Sequence, residues 1–136
     1  MKDDFTEVIA IADVPNANGH IYPRAELERA MTEFMHRATT YGQTAPGMNT
    51  AESLMAVPLH KVSHELQSIW WEENVLMGRI KLLPTEEGKY AQELFERAPN
   101  SFTLGMACIG EVDENEEISN IDLISVNVLP KQYTNH

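Results

Sequence analysis

Cysteine, basic residues and long apolar runs are all scarce in this sequence, and each scarcity excludes a class of protein. The single cysteine, Cys108, excludes an intramolecular disulfide framework and any metal site built from several cysteines. No segment approaches the roughly 18 consecutive apolar residues of a membrane span, and no apolar stretch follows a basic start. We therefore expect a soluble chain that carries no export signal and has no membrane partner.

The shortage of basic residues also argues against nucleic acid as a partner. Lys and Arg total 10 against 21 Asp and Glu, which gives a formal net charge of -11. Such a surface repels phosphate backbones, and no cluster of basic residues offers a local exception. The acidic run at residues 111–117 is interleaved with other residues and is typical of a solvated hairpin tip.

The length and composition are those of one ordinary globular domain. Of the 136 residues, 43% are hydrophobic and 23% are charged. We expect a single domain over residues 1–136, with its core within about residues 5–130. No glycine-rich phosphate loop is present, and we expect no cofactor.

Hydrophobic periodicity predicts an α+β fold, a mainly antiparallel sheet or barrel with two flanking helices. The predicted order is strand, helix, loop, two strands, helix and two strands, at residues 5–12, 24–39, 40–56, 62–70, 75–83, 84–98, 101–112 and 118–129. In the second helix, Tyr90, Leu94 and Phe95 are expected to pack on the sheet.

Several segments, in this order, resemble one known family. Residues 18–23 read Asn-Gly-His-Ile-Tyr-Pro, residues 62–66 read Val-Ser-His-Glu-Leu, and residues 78–88 contain Leu-Leu-Pro-Thr-Glu-Glu-Gly. Residues 102–112 and 122–130, the last ending in proline, complete the set. Together they resemble the prohead core proteases of tailed phages, serine proteases related in fold to herpesvirus assemblins. The resemblance implies a β-barrel flanked by helices.

The sequence departs from this family where the family carries its catalytic base. A loop motif similar to Gly-Glu-Leu-x-His-Pro holds that histidine in the family, whereas residues 47–52 here read Gly-Met-Asn-Thr-Ala-Glu. The position of the base is then Ala51, or Asn49 if the register slips by two residues. Neither side chain can accept a proton from serine at neutral pH.

The nucleophile position has changed as well. Where the family resembles Val-Ser-Ser-Arg-Gly-x-Gly, residues 104–110 read Leu-Gly-Met-Ala-Cys-Ile-Gly, so Gly105 and Met106 replace the two serines. An acidic position in the last strand corresponds to Asn127. The simultaneous loss of base and nucleophile indicates a catalytically inactive homologue.

Three other side chains could carry chemistry, and each has a structural alternative. His64 is either a surviving catalytic histidine or, as we favour, a hydrogen-bonded histidine in or near the core. His60 and His64 lack an evident third metal ligand. Cys108 could replace the serine nucleophile, but it lies in phase with Leu104 and favours a small buried hydrophobe. Ser101 and Thr103 flank the altered site, and we interpret them as strand-edge hydroxyls.

Two groups of apolar residues are candidates for binding a protein partner. Trp70 and Trp71 place one indole on each face of a strand, so that one of them can cover a helix or a partner subunit. Met48, Leu54 and Met55 give the 40–56 loop apolar anchors that a free loop does not need. Capsid proteins are the expected partner, with self-association as an addition.

The resulting hypothesis is a non-catalytic structural protein of the phage virion that binds the capsid as a decoration or cement protein. The resemblance implies synthesis in the cytoplasm of a bacterial host. One alternative is an active prohead maturation endopeptidase whose nucleophile has moved to Cys108 or to a nearby hydroxyl. Another is a pseudo-protease that regulates an active paralogue.

Overall fold

Six strands and two helices make up the fold in a computed structural model that describes residues 3–44, 57–134 and 136. In chain order the elements are β1 (Asp4–Ile11), α1 (Arg24–Met35), β2 (Tyr41–Gly42), β3 (His64–Glu72), β4 (Val75–Leu82), α2 (Glu86–Arg97), β5 (Phe102–Val112) and β6 (Ile118–Pro130). This confirms the predicted α+β order, to which the short strand β2 is an addition. No helix within the described ranges has the length and apolarity to cross a bilayer.

The strands form two antiparallel sheets that meet at both of their edges. One sheet has the order β1-β4-β3-β2, and the other is the β5-β6 hairpin. Past the end of β2, the Val128 amide donates to the Gln43 carbonyl at 3.1 Å. At the other edge, the Thr103 hydroxyl donates to the Val8 carbonyl at 3.0 Å. The strands therefore curl around a shared core as a half-barrel.

Helix α1 packs its apolar face on β6 and ends earlier than its periodicity predicts. Pro23, whose φ is -62°, precedes the first turn, and the buried positions lie three or four residues apart as the amphipathic pattern requires. The predicted end at residue 39 is wrong, because the chain must by then pair with β3. The Leu66 amide donates to the Thr40 carbonyl at 3.0 Å, and the Thr40 hydroxyl donates to the Leu66 carbonyl at 2.6 Å.

Helix α2 begins within the predicted range but is rotated relative to the predicted face. The Thr85 hydroxyl accepts from the Gly88 amide at 2.9 Å, as an N-cap should. Ala91 and Phe95 are buried, whereas Tyr90 is 51% exposed and Leu94 is half-buried. The expectation that Tyr90 packs on the sheet is therefore wrong. The buried stripe starts at Gly88, which the sequence pattern did not mark as apolar.

A β-bulge in β3 exchanges the two faces of that strand. The register with β4 shifts between Leu66 and Ser68. Before the shift, His64 and Leu66 are buried; after it, Trp71 packs against the core. An uninterrupted strand over residues 62–70 would place Trp70 on the face of His64, but the one extra residue of the bulge inverts every following side chain.

Candidate functional site

The two altered positions on β5 and β6 are brought directly opposite each other. Gly105 is the Cα partner of Asn127 in the antiparallel register. Both residues are buried, and Asn127 is only 2% exposed. The residues that resemble the nucleophile and acidic positions of a protease are thus neighbours in space, 22 positions apart in the chain.

Asn127 is engaged in holding the sheets together. Its Oδ1 atom accepts from the Gln43 amide at 3.1 Å and from the Ser125 hydroxyl at 3.1 Å. These bonds lie beside the Val128–Gln43 backbone bond that joins the segment after β2 to β6. The Asn127 side chain therefore links β6 to the segment that follows β2.

Gly105 has no side chain of its own, and adding one would require the flexible end of the Leu129 side chain to shift. A Cβ atom at this position would lie 2.6 Å from Cδ1 of Leu129, well inside contact distance. Met106 is partly buried and packs against the core. The flanking hydroxyl of Thr103 is occupied by its bond to Val8, and Ser101 is exposed. Neither altered position supplies a nucleophile.

Ser63 and His64 are in hydrogen-bond contact at the start of β3. The Ser63 hydroxyl lies 2.8 Å from Nδ1 of His64, and Nε2 of His64 lies 2.8 Å from the Val126 carbonyl. Because a carbonyl only accepts, Nε2 must carry the proton, and Nδ1 is then free to accept from Ser63. An unprotonated ring nitrogen that faces a serine hydroxyl is what a general base requires.

The surroundings of this pair argue against catalysis. Ser63 and His64 are each 0% exposed, so a substrate carbonyl has no route to the hydroxyl. Ser63 Oγ also accepts from the Thr44 hydroxyl at 2.8 Å. Burial lowers the pKa of His64 to about 4, against a weaker opposing effect of its bond to Val126, and this makes the imidazole a poor base. The pair links β3 to β6 through the hydrogen bond between His64 and Val126.

We expect the buried imidazole to make stability depend on pH. Its folded pKa lies below the ordinary value of 6.5, so the stability is complete above about pH 6.5 and is lost as the pH falls towards 4. The depressed pKa corresponds to a loss on the order of 3 kcal/mol. Denaturant unfolding at a series of pH values measures it. The His64→Gln variant should lack this part of the slope; an identical pH dependence would show that His64 does not titrate as described.

The Cys108 side chain contributes to packing. Its Sγ atom lies 3.8 Å from the Tyr22 hydroxyl, and the side chain packs against the core. Burial raises the pKa of the Cys108 thiol, with a smaller opposing effect from the hydrogen bond to Tyr22. A raised pKa disfavours the thiolate that a nucleophile requires.

His60 and His64 differ in their surroundings. His60 is exposed, whereas His64 is sealed in the core. Throughout residues 3–44, 57–134 and 136, no three His, Cys, Asp or Glu side chains are grouped so that they could hold a metal ion.

The two tryptophans are both partly buried. Trp71 packs against the core and lies under the Arg24 guanidinium, whose carbon is 4.2 Å from the ring centroid. Trp70 donates from Nε1 to the Glu72 carboxylate at 3.4 Å. Trp70 is partly buried and does not belong to the core cluster that Trp71 packs against. Met48, Leu54, Met55 and the altered position Ala51 lie outside the described residues.

Gln43, Thr44 and Ser125 were missed by sequence reasoning, although they surround the site. Gln43 is 3% exposed, and its Nε2 atom is buried without a hydrogen-bond partner. The available signal was in β6, where Ser125 and Asn127 alternate with Val126 and Val128. This alternation places Ser125 and Asn127 on one face of the strand, but the same pattern is typical of a solvent-exposed face and does not by itself predict burial.

The elements described above define an α+β half-barrel. Structural comparison finds the bacteriophage T4 capsid assembly protease, gp21, with a TM-score of 0.73. The sequence identity is 18%, and the match covers 93% of this chain and 80% of the gp21 chain. A scan against protein-family models and a search of curated proteins found no match. The similarity to gp21 therefore shows a shared fold.

Proposed function

We propose that this chain is a non-catalytic structural protein of a tailed-phage head, which binds the capsid as a decoration or cement protein. The observation that carries the proposal is the pairing of Gly105 with Asn127. The strand positions that resemble a protease's nucleophile and acid lie together, yet one has no side chain and the other holds two strands. The fold shared with gp21, a capsid assembly protease, supports a phage-head context.

The expected partner is protein, because of the charge of the chain. At a net charge of -11, long-range repulsion opposes any approach to packaged DNA. The proposed attachment surface consists of Met48, Leu54 and Met55. The strand that carries Trp70 and Trp71 is the second surface, on which Trp70 would make the contact because Trp71 packs against the core. Apolar side chains of this kind provide the buried centre of many protein interfaces.

Co-sedimentation with expanded heads of the cognate phage tests this attachment. The unmodified chain should sediment with the heads, and replacing Met48, Leu54 and Met55 by serine should weaken binding by about tenfold or more. A matched control replaces three exposed apolar residues outside the loop, Leu59, Ile109 and Val112, by serine. If the loop variant keeps its fold and full occupancy, the strand carrying Trp70 and Trp71 becomes the surface to test.

A second candidate function has one specific observation in its favour. The Ser63–His64–Val126 chain has the hydrogen-bond order and tautomer of a serine nucleophile with an oriented base. An endopeptidase with a relocated nucleophile would have to open this buried site before each turnover. The complete burial of both side chains makes this the less favoured proposal.

A further inference from the structure

The two sheets meet along one seam, between β1 and β5, that has no backbone ladder. Within the part of the chain that the structure describes, β1 is in register with β4 alone and β5 with β6 alone. Where β1 and β5 approach each other, the Thr103 hydroxyl donates to the Val8 carbonyl at 3.0 Å. A seam that is held by separate side-chain bonds is a natural place for local opening, because no continuous set of backbone bonds closes it.

A β-bulge leaves one residue at this seam without a strand partner. The register between β1 and β4 shifts between Val8 and Ala10, so Ile9 is the extra residue. Ile9 is only 1% exposed, and Leu104 on β5 is fully buried. Backbone carbonyls of residues buried to this degree need hydrogen-bond donors.

The chain that follows β6 turns back towards this seam and bonds to β5. A short 3-10 helix, Lys131–Tyr133, comes directly after β6, and the Lys131 amide donates to the Ser101 carbonyl at 2.9 Å. Further along, Nε2 of His136 lies 2.8 Å from the Leu104 carbonyl. Because a carbonyl only accepts, the imidazole is the donor. We call residues 131–134 and 136 the tail.

The tail also lies beside β1, on the other side of the seam. Burial raises the pKa of Glu7, and the positive charge of Lys131 opposes this effect, so the ammonium group is near that carboxylate. Burial lowers the pKa of His136, and contacts of its ring with the backbones of Leu104 and Ile9 oppose this effect. The tail therefore spans the seam, with its first residue near Glu7 and its last near Ile9.

We propose that the tail is a latch that holds the edges of β1 and β5 together, and that its release opens the half-barrel at this seam. In the closed state, His136 supplies the donor for the buried Leu104 carbonyl. In the open state, the two edges expose unpaired backbone groups, which are the usual site of pairing with another chain. The latch is separate from the residues of the proposed capsid attachment, and its test does not depend on that function.

Hydrogen–deuterium exchange of the full chain tests the latch. His136→Ala removes the donor to Leu104, so the amides of residues 8–11 and 103–106 should exchange about tenfold faster than in the unmodified chain. The amides of the β3-β4 hairpin, which lies away from the seam, should keep their rates. His136→Gln keeps an N–H donor on a flexible side chain and should lose less of the protection.

The matched control is His60→Ala, which removes an exposed histidine outside the tail. It should leave exchange at both edges unchanged. The proposal is wrong if His136→Ala does not accelerate exchange at residues 8–11 and 103–106, or if His60→Ala has the same effect. Equal acceleration of amides throughout the chain would also contradict it, because the tail would then stabilise the whole fold and not one seam. Equal losses of protection in His136→Gln and His136→Ala would show that the bond to Leu104 does not close the latch.

Discussion

Replacing Gly42 by alanine should lower the free energy of unfolding by about 4 kcal/mol. A Cβ atom at this position would lie 2.1 Å from the Val126 carbonyl oxygen and 2.3 Å from Nε2 of His64. Both atoms belong to the hydrogen bond between β3 and β6, so the methyl group must displace either a backbone or a buried ring. Overpacking accounts for about 2 kcal/mol of the loss. The broken bond between imidazole and carbonyl accounts for about 2 kcal/mol more.

Denaturant unfolding of Gly42→Ala beside Gly19→Ala separates this close approach from a general effect of glycine. Gly19 has a φ of 78° and no atom within 4 Å of the added Cβ, so its substitution imposes only backbone strain of about 1 kcal/mol. Equal losses in the two variants would mean that β2 does not press against the His64–Val126 bond.

Phe95→Ala is expected to cost about 4 kcal/mol. Phe95 is 3% exposed, stacks on Phe5 at 4.1 Å and meets the edge of Phe102 at 6.2 Å between centroids. Truncation removes the aromatic contact that joins α2 to β1 and β5, and it leaves a cavity beside Phe5 and Phe102.

The neighbouring Tyr90 provides the control for this substitution. It is on the same helix but 51% exposed, so Tyr90→Ala should cost less than about 1 kcal/mol. Leu94 is half-buried and should give an intermediate loss. Thermal or denaturant melting of the three variants checks the order. A larger loss of unfolding free energy in Tyr90→Ala than in Phe95→Ala would show that Tyr90 packs on the sheet, as the sequence pattern predicted.

The parts of the fold that were predictable depend on local chemistry. The order of strands and helices follows from hydrophobic periodicity, and the Thr85 cap and the turn at Asn16 follow from side chains that bond their own backbone. The Asn16 carboxamide oxygen accepts from the amides of Asn18 and His20 at 2.9 and 3.0 Å. Contacts between residues so close in the chain can be predicted from short stretches of sequence.

The errors came from contacts between residues distant in the chain. Nothing local in the sequence places the bulge between Leu66 and Ser68, because it depends on how β3 pairs with β4. The strand β2 exists because Thr40 and Tyr41 meet β3, across a separation that local patterning cannot predict.

In the candidate site too, local features could be predicted and contacts between distant residues could not. A buried, hydrogen-bonded His64 could be expected from its apolar neighbours on the strand. Its partner, the Val126 carbonyl, could not, because it lies 62 residues away. The pairing of Gly105 with Asn127 follows from the β5-β6 hairpin. The hydrogen bond from the Gln43 amide to Asn127 could not be predicted, because Gln43 is distant in the chain.

Incubation of the purified chain with the scaffold and capsid proteins of its own phage tests most directly whether this protease-like fold is non-catalytic. Fragments are detected by mass spectrometry, with Ser63→Ala, Cys108→Ala and the exposed Ser101→Ala variants examined in parallel. The account predicts no cleavage product from any of the four proteins. Cleavage that is abolished by Ser63→Ala or Cys108→Ala and retained in Ser101→Ala would contradict it and identify an active endopeptidase.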